Sequence, residues 1–146
     1  MDVIVLAGGF GTRLRPWTER RAKPLLPLLD KTLLERVVEA VPPEMVDRVV
    51  VAAGYGIDEM ESFFEGSSMP YEIVLSIEQE AMGTGGAVAL ARQHLSGDGP
   101  VLVLNGDLIS SVDVAALAAH HAATGAKATL SLWEVEDPSR FGVCDL

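Results

Sequence analysis

The chain has 146 residues, 49% hydrophobic and 22% charged, with a formal net charge of −10; this size and balance fit one soluble globular domain over residues 1–146 rather than a disordered segment. An acidic excess of that size argues against a nucleic-acid backbone as partner, and no apolar run reaches membrane-spanning length. The single cysteine, Cys144, excludes an internal disulfide and suits a reducing cytoplasm, while Asp2 and the lack of a basic stretch before the first apolar run argue against a secretory signal.

Taken in order, Asp2-Val3-Ile4-Val5-Leu6 is a β-branched apolar run that reads as a buried strand, and it breaks into Ala7-Gly8-Gly9-Phe10-Gly11-Thr12-Arg13. Asp30 or Thr32 caps a predicted helix running to about Ala40, which Pro42-Pro43 stops. Arg48–Ala53 is a second apolar run, followed by a short helix over Ile57–Phe64. Tyr71–Ile77 is a third predicted strand, Gly83–Leu95 an alanine-rich helix, Pro100–Leu104 a fourth strand, and Val112 to about Ala123 another helix. Lys127–Val135 alternates as a fifth strand would, with Trp133 as a core residue, and Phe141–Leu146 begins a further element.

Such βαβ alternation predicts an α/β fold of Rossmann-like, three-layer αβα type, with a mostly parallel sheet between helices. Ligands in such sheets bind beyond the carboxyl ends of the strands. The most polar and glycine-dense segments, Gly8–Arg13, Glu78–Gly86 and Asn105–Asp107, all follow predicted strands, so topology alone brings them to one edge.

The first of these segments has the chemistry of a polyphosphate loop. Its glycines let main-chain N–H groups approach an anion, and Arg13, Arg15 and Lys23 supply positive charge. Two familiar phosphate loops are excluded. The third glycine of a dinucleotide fingerprint is replaced by Leu14, and no Gly-Lys-Ser/Thr occurs.

Gly8-Gly9-Phe10-Gly11-Thr12-Arg13-Leu14-Arg15-Pro16-Trp17-Thr18 followed by Lys23-Pro24-Leu25-Leu26-Pro27 resembles the signature of the sugar-1-phosphate nucleotidylyltransferases, nearest to the subgroup that makes GDP-mannose and GDP-heptose. The resemblance implies the nucleotide-diphospho-sugar transferase fold, C-terminally truncated, and transfer of a nucleotidyl group from a nucleoside triphosphate to a sugar 1-phosphate. It also implies that the loop, Leu6, Ala7, Gly8, Gly9, Gly11 and Thr12, wraps the triphosphate while Arg13 and Lys23 hold and activate its phosphates. Ala22 departs from the family pattern, which places a proline before the lysine; this bears on the loop more than on the chemistry.

Asn105-Gly106-Asp107 puts a carboxylate just past a buried strand, where either a Mg²⁺ ligand or an ordinary turn is expected. The resemblance makes Asp107 the ligand of the catalytic Mg²⁺, with Asn105 beside the nucleotide. Glu78-Gln79-Glu80-Ala81-Met82-Gly83-Thr84 resembles the family's base-reading segment, with Glu78 facing the base edge and backbone near Gly83 and Thr84 completing the contact. An ionised carboxylate only accepts hydrogen bonds, which suits the adjacent N1–H and 2-amino donors of guanine, so GTP is the expected nucleotide. The alternative reading, the lesser of the two, makes Glu78 and Glu80 solvated charges at a strand end.

His94, His120 and His121 lack zinc-ligand spacing with one another or with Cys144, and Trp17 is expected to anchor its loop to the core, with covering the nucleotide as the alternative. Val135–Val143 resembles the family's approach to the sugar site. Family members continue beyond position 146, so the chain reads as a fragment or a short form, an enzyme or a catalytically incomplete nucleotide-binding module. Absent further strands, an exposed sheet edge and a homo-oligomer are expected.

Overall fold

The computed structural model describes residues 1–140 and 142–144, so the reading of Phe141–Leu146 as a new element falls largely outside the described residues. The chain divides into two compact units, Met1–Ser111 and Val112–Leu146.

In the first unit, β1 (Asp2–Leu6) leads through the glycine loop to a short antiparallel ribbon of β2 (Pro27–Leu28) and β3 (Lys31–Thr32). Helix α1 (Leu33–Glu39), β4 (Arg48–Ala53), α2 (Ile57–Glu65), β5 (Glu72–Ile77), α3 (Gly83–Ala91) and β6 (Val101–Asn105) follow. Thr32 caps α1 in a reciprocal box: its hydroxyl accepts from the Glu35 N–H, and the Glu35 carboxylate accepts from the Thr32 N–H. Helix α3 is shorter than the apolar pattern predicts, giving way to a single 3₁₀ turn at Arg92–His94. Pro100, which has no N–H to give a ladder, stands just before β6 instead of opening it.

The four long strands form one parallel sheet in the order β5-β4-β1-β6, with Ile4 level with Val50 and Val103. Val3, Ile4, Val5 and Val49–Val51 are essentially excluded from solvent, as parallel strands covered on both faces require. Alternation sorts these residues. Ile4, Val50 and Ala52 pack with Ala87 and Ala91 of α3, and Val3, Val5, Val49 and Val51 point to the other face. The one polar side chain buried in β1, Asp2, is satisfied by the N–H and hydroxyl of Ser96.

Strand order positions the site. From β1 the chain steps outward to β4 and β5, then returns past β1 to lay down β6. Right-handed crossovers put the returning helix, α3, on the face opposite α1 and α2. The loops after β1 and β6 therefore diverge at the carboxyl end of the sheet, opening a crevice at the switch point.

The second unit holds α4 (Val114–Thr124), started two residues later than the apolar pattern suggests because Asp113 caps it through a bond to the Ala116 N–H. Gly125 closes it in a left-handed conformation, and His121 bonds Thr129 through its ring. Residues 127–135 form no strand, and Trp133, expected in the core, is 85% exposed. Alternation supplies a face, but a strand also needs a neighbour to share its ladder, and among the described residues this segment has none. Among the described residues no helix is long and apolar enough to cross a membrane.

Candidate functional site

The loop after β1 stays close to the sheet. The Ala7 N–H donates to the Ala52 carbonyl at 2.8 Å, and the Gly106 N–H after β6 donates to the Leu6 carbonyl at 2.9 Å. That second bond sets the distance between the β1 and β6 loops, and it needs glycine. A Cβ on Gly106 would stand 2.8 Å from the Leu6 oxygen, closer than real side chains approach. The loop then tightens into a 3₁₀ turn at Thr12–Leu14, with the Leu14 N–H donating to the Gly11 carbonyl.

Trp17 does not anchor this loop: it is 73% exposed. The turn at Trp17–Glu19 directs Thr18 inward instead, where it is buried and its hydroxyl donates to the Gly11 carbonyl at 2.8 Å. A threonine can both fill a small gap and satisfy a loop carbonyl through its hydroxyl.

Two cavities open on the loop. One, of about 290 Å³, is lined by Leu6, Ala7, Gly9, Gly11, Thr12, Arg13, Lys23, Gly106 and Asp107. In it the Lys23 ammonium meets the Asp107 carboxylate at 2.5 Å, joining segments 84 positions apart. Arg13 is exposed at the same wall, and among the described residues it has no ion pair. Arg15 lines neither cavity. Asn105, the last residue of β6, sits level with Leu6, and its carbonyl accepts from the Leu108 N–H.

The second cavity, of about 310 Å³, shares Leu6, Gly9 and Phe10 with the first, and its further lining includes Gly8, Gly54, Glu78, Glu80, Gly83 and Thr84. Glu78 is fixed from both sides. Its N–H donates to the Ala53 carbonyl at 2.9 Å, and one carboxylate oxygen accepts from the Met82 N–H at 3.2 Å. Its other oxygen lies 3.2 Å from where a Cβ on Gly8 would stand, so Gly8 leaves the space this carboxylate uses. Gly83 and Thr84 open α3 at the cavity wall. Phe10, at the junction, stands 5.8 Å from the Tyr55 ring in a tilted pair.

The residues singled out in the sequence, Arg15 and Asn105 excepted, thus fall into two neighbouring groups. Two cations and a carboxylate surround one cavity, and two carboxylates, Glu78 and Glu80, and a helix start border the other. Thr18 and Gly106 are the structural members that sequence reasoning overlooked. An Asn-Gly-Asp turn directly after a strand is the available signal for the second, and for Thr18 it is its place at the end of the glycine-loop signature. Among the described residues no three His, Cys, Asp or Glu side chains cluster to cage a metal.

Comparison with known proteins places the chain in a family. The nucleotidyl transferase family model matches residues 2–146. Mannose-1-phosphate guanyltransferase of Schizosaccharomyces pombe is 40% identical over 146 residues, covering 98% of this chain and 40% of that protein. Probable mannose-1-phosphate guanylyltransferase 1 of Oryza sativa subsp. japonica is 40% identical over 148 residues, covering 98% and 41%. The chain therefore spans about two-fifths of the length of these curated relatives. HddC from Yersinia pseudotuberculosis, in a crystal structure complexed with GMP-PN, superposes with a TM-score of 0.70 at 29% identity, over 82% of this chain and 53% of that one. UDP-glucose pyrophosphorylase complexed with UDP-glucose shares the fold, with a TM-score of 0.62 at 21% identity over 73% of this chain and 45% of that one. The chain belongs to the nucleotidyl transferase family, and its parallel sheet is that of the nucleotide-diphospho-sugar transferase fold.

Proposed function

We propose that this chain binds a nucleoside triphosphate, GTP by preference, and transfers its nucleotidyl group to a sugar 1-phosphate with release of pyrophosphate. The observation that carries the reading is the meeting of Lys23 and Asp107 beside the glycine loop at the β1–β6 switch point. Cations, a carboxylate and open backbone N–H groups in one cavity are what a metal-bound triphosphate requires.

In this reading the main chain of Leu6, Ala7, Gly8, Gly9, Gly11 and Thr12 follows the phosphates, and Arg13 and Lys23 neutralise them. Asn105, at the end of β6 two residues before Asp107, lines neither cavity. Asp107 is the Mg²⁺ ligand. One carboxylate with no cage around it suits Mg²⁺, which keeps several waters and takes one or two carboxylates plus substrate phosphates. When bound, the ion supplies charge neutralisation on the phosphate oxygens. Glu78 faces the base, with Gly83 and Thr84 beside it. The guanylyltransferase names of the curated relatives and the GMP-PN in HddC favour guanine, as does an acceptor-only carboxylate at that position.

A phosphate oxygen of the sugar 1-phosphate attacks the α-phosphorus in line. The bond from the α-phosphorus to the α–β bridging oxygen breaks, and pyrophosphate leaves with the electron pair. The protein's share is positioning and fixed charge, with no covalent intermediate. The test is pyrophosphate release from GTP, Mg²⁺ and mannose 1-phosphate, the acceptor named in the curated relatives. Release that needs all three supports the transfer. Binding of GTP without release from any sugar 1-phosphate overturns it and leaves a nucleotide-binding module.

A further inference from the structure

We infer that Glu59, on α2, is a positioning residue for Lys23: its carboxylate holds the main chain one residue before the lysine and so fixes where the ammonium reaches. The inference rests on the reading of Lys23 as a phosphate ligand. Glu59 lines neither cavity, and its role is visible only in the backbone it grips.

The Ala22 N–H donates to a Glu59 carboxylate oxygen at 2.7 Å, and the Ala22 carbonyl accepts from the Leu25 N–H at 2.9 Å. Both polar groups of the residue preceding Lys23 are therefore occupied. Ala22 itself is 1% exposed, and on the far side of Lys23, Pro24 and Leu25 are buried as well. A hydrogen bond from a buried donor to an ionised acceptor belongs to the strong class.

The start of α2 reinforces the grip. Gly56 caps the helix at φ +69°, and a Cβ there would lie 2.7 Å from the Ala22 Cβ. Only glycine lets α2 come flush against Ala22, and that approach is what brings Glu59, one turn on, within reach of the N–H. The second Glu59 oxygen pairs with Arg21 at 3.3 Å, but both side chains are substantially exposed, so this contact adds little.

A fixed backbone matters more for lysine than for most residues. Its four-carbon stem is flexible, and an ammonium offers no fork to orient itself on a phosphate. Lys23 reaches from this turn to Asp107, so any drift of residues 20–22 carries the ammonium away from the phosphate end.

The test is a double-mutant cycle on affinity for GTP with Mg²⁺, measured by calorimetry, using the parent chain, Glu59→Ala, Lys23→Met and the double variant. Unfolding by denaturant without ligand is followed alongside. Lys23→Met should weaken binding, and Glu59→Ala should weaken it about tenfold in the parent but hardly further once the ammonium is gone. Glu59→Gln should retain most of the affinity, because its amide oxygen still accepts from the Ala22 N–H. Equal losses from Glu59→Ala in both backgrounds overturn the inference, since Glu59 would then act through stability alone. An unchanged affinity in Lys23→Met overturns the phosphate role of Lys23 and the positioning role with it, and so identifies which reading failed. If Glu59→Ala does not fold, hydrogen exchange of the parent decides: the Ala22 N–H should be protected, and exchange as fast as an exposed loop contradicts the proposal.

Discussion

At the proposed phosphate end of the site, Lys23 and Asp107 come from segments 84 positions apart and meet only because β1 and β6 are neighbours in the sheet. At the proposed base end, Glu78, Met82 and Gly83 belong to one strand-to-helix connection, and Glu78 accepts from the Met82 N–H within it. The first arrangement depends on long-range topology and opposed charges, the second on local backbone geometry. Damage at the phosphate end should therefore fall on binding and turnover together, and damage at the base end on selectivity.

The largest expected effect is at Arg13. Arg13→Ala should lower turnover by about 100-fold or more, the scale of losing one preorganised charge contact, with little change in thermal stability because the side chain is exposed. Near-normal turnover would remove Arg13 from the phosphate end. Next is the junction on which that end hangs. Gly106→Ala forces a Cβ against the Leu6 carbonyl and should cost about 1–3 kcal/mol of stability in denaturant unfolding. A neutral result would show that the β1 and β6 loops are not held by that contact.

At the base end, Glu78→Gln should reduce preference for GTP over UTP by about tenfold, since a glutamine offers uracil both a donor and an acceptor, while a mismatch with guanine leaves polar groups unpaired at about 1–3 kcal/mol. Competition binding with the two nucleotides measures this, and unchanged selectivity would place the base elsewhere. The smallest effect lies outside both ends. The Ser139 N–H donates to the Asp137 carboxylate at 3.0 Å and holds it below the ordinary carboxylate range. A depressed folded value contributes stability that is present above the unfolded value and lost as pH falls through the folded one. Titration by NMR should show a low Asp137 midpoint that returns toward ordinary when Ser139 is replaced by Pro, which lacks the N–H.

The same division between local and long-range order decides what the sequence could reveal. Asp2–Leu6 and Arg48–Ala53 are legible residue by residue, because strands buried on both faces need unbroken β-branched runs. Arg13, Lys23, Glu78 and Asp107 stand out in the sequence because chemistry limits which residue types can serve at a phosphate, a metal or a base edge, and all four line the two neighbouring cavities. Glu59 is not, since an acidic residue in an amphipathic helix looks solvated until its partner, a backbone N–H 37 positions earlier, is seen. Trp17 and Trp133 mislead for a related reason. Large apolar side chains suggest a core, yet the turn at Trp17–Glu19 buries Thr18, and the segment around Trp133 has no strand to pair with among the described residues.

The most direct test of nucleotide recognition is thermal unfolding of the chain with GTP, ATP, UTP, dTTP or CTP, each with and without Mg²⁺. A ligand at 100 times its Kd stabilises by about 2.7 kcal/mol, which shifts the midpoint by several degrees in a domain of this size. A shift selective for GTP and dependent on Mg²⁺ is the predicted result. No shift with any of the five nucleotides would contradict a nucleotide site at the carboxyl end of this sheet.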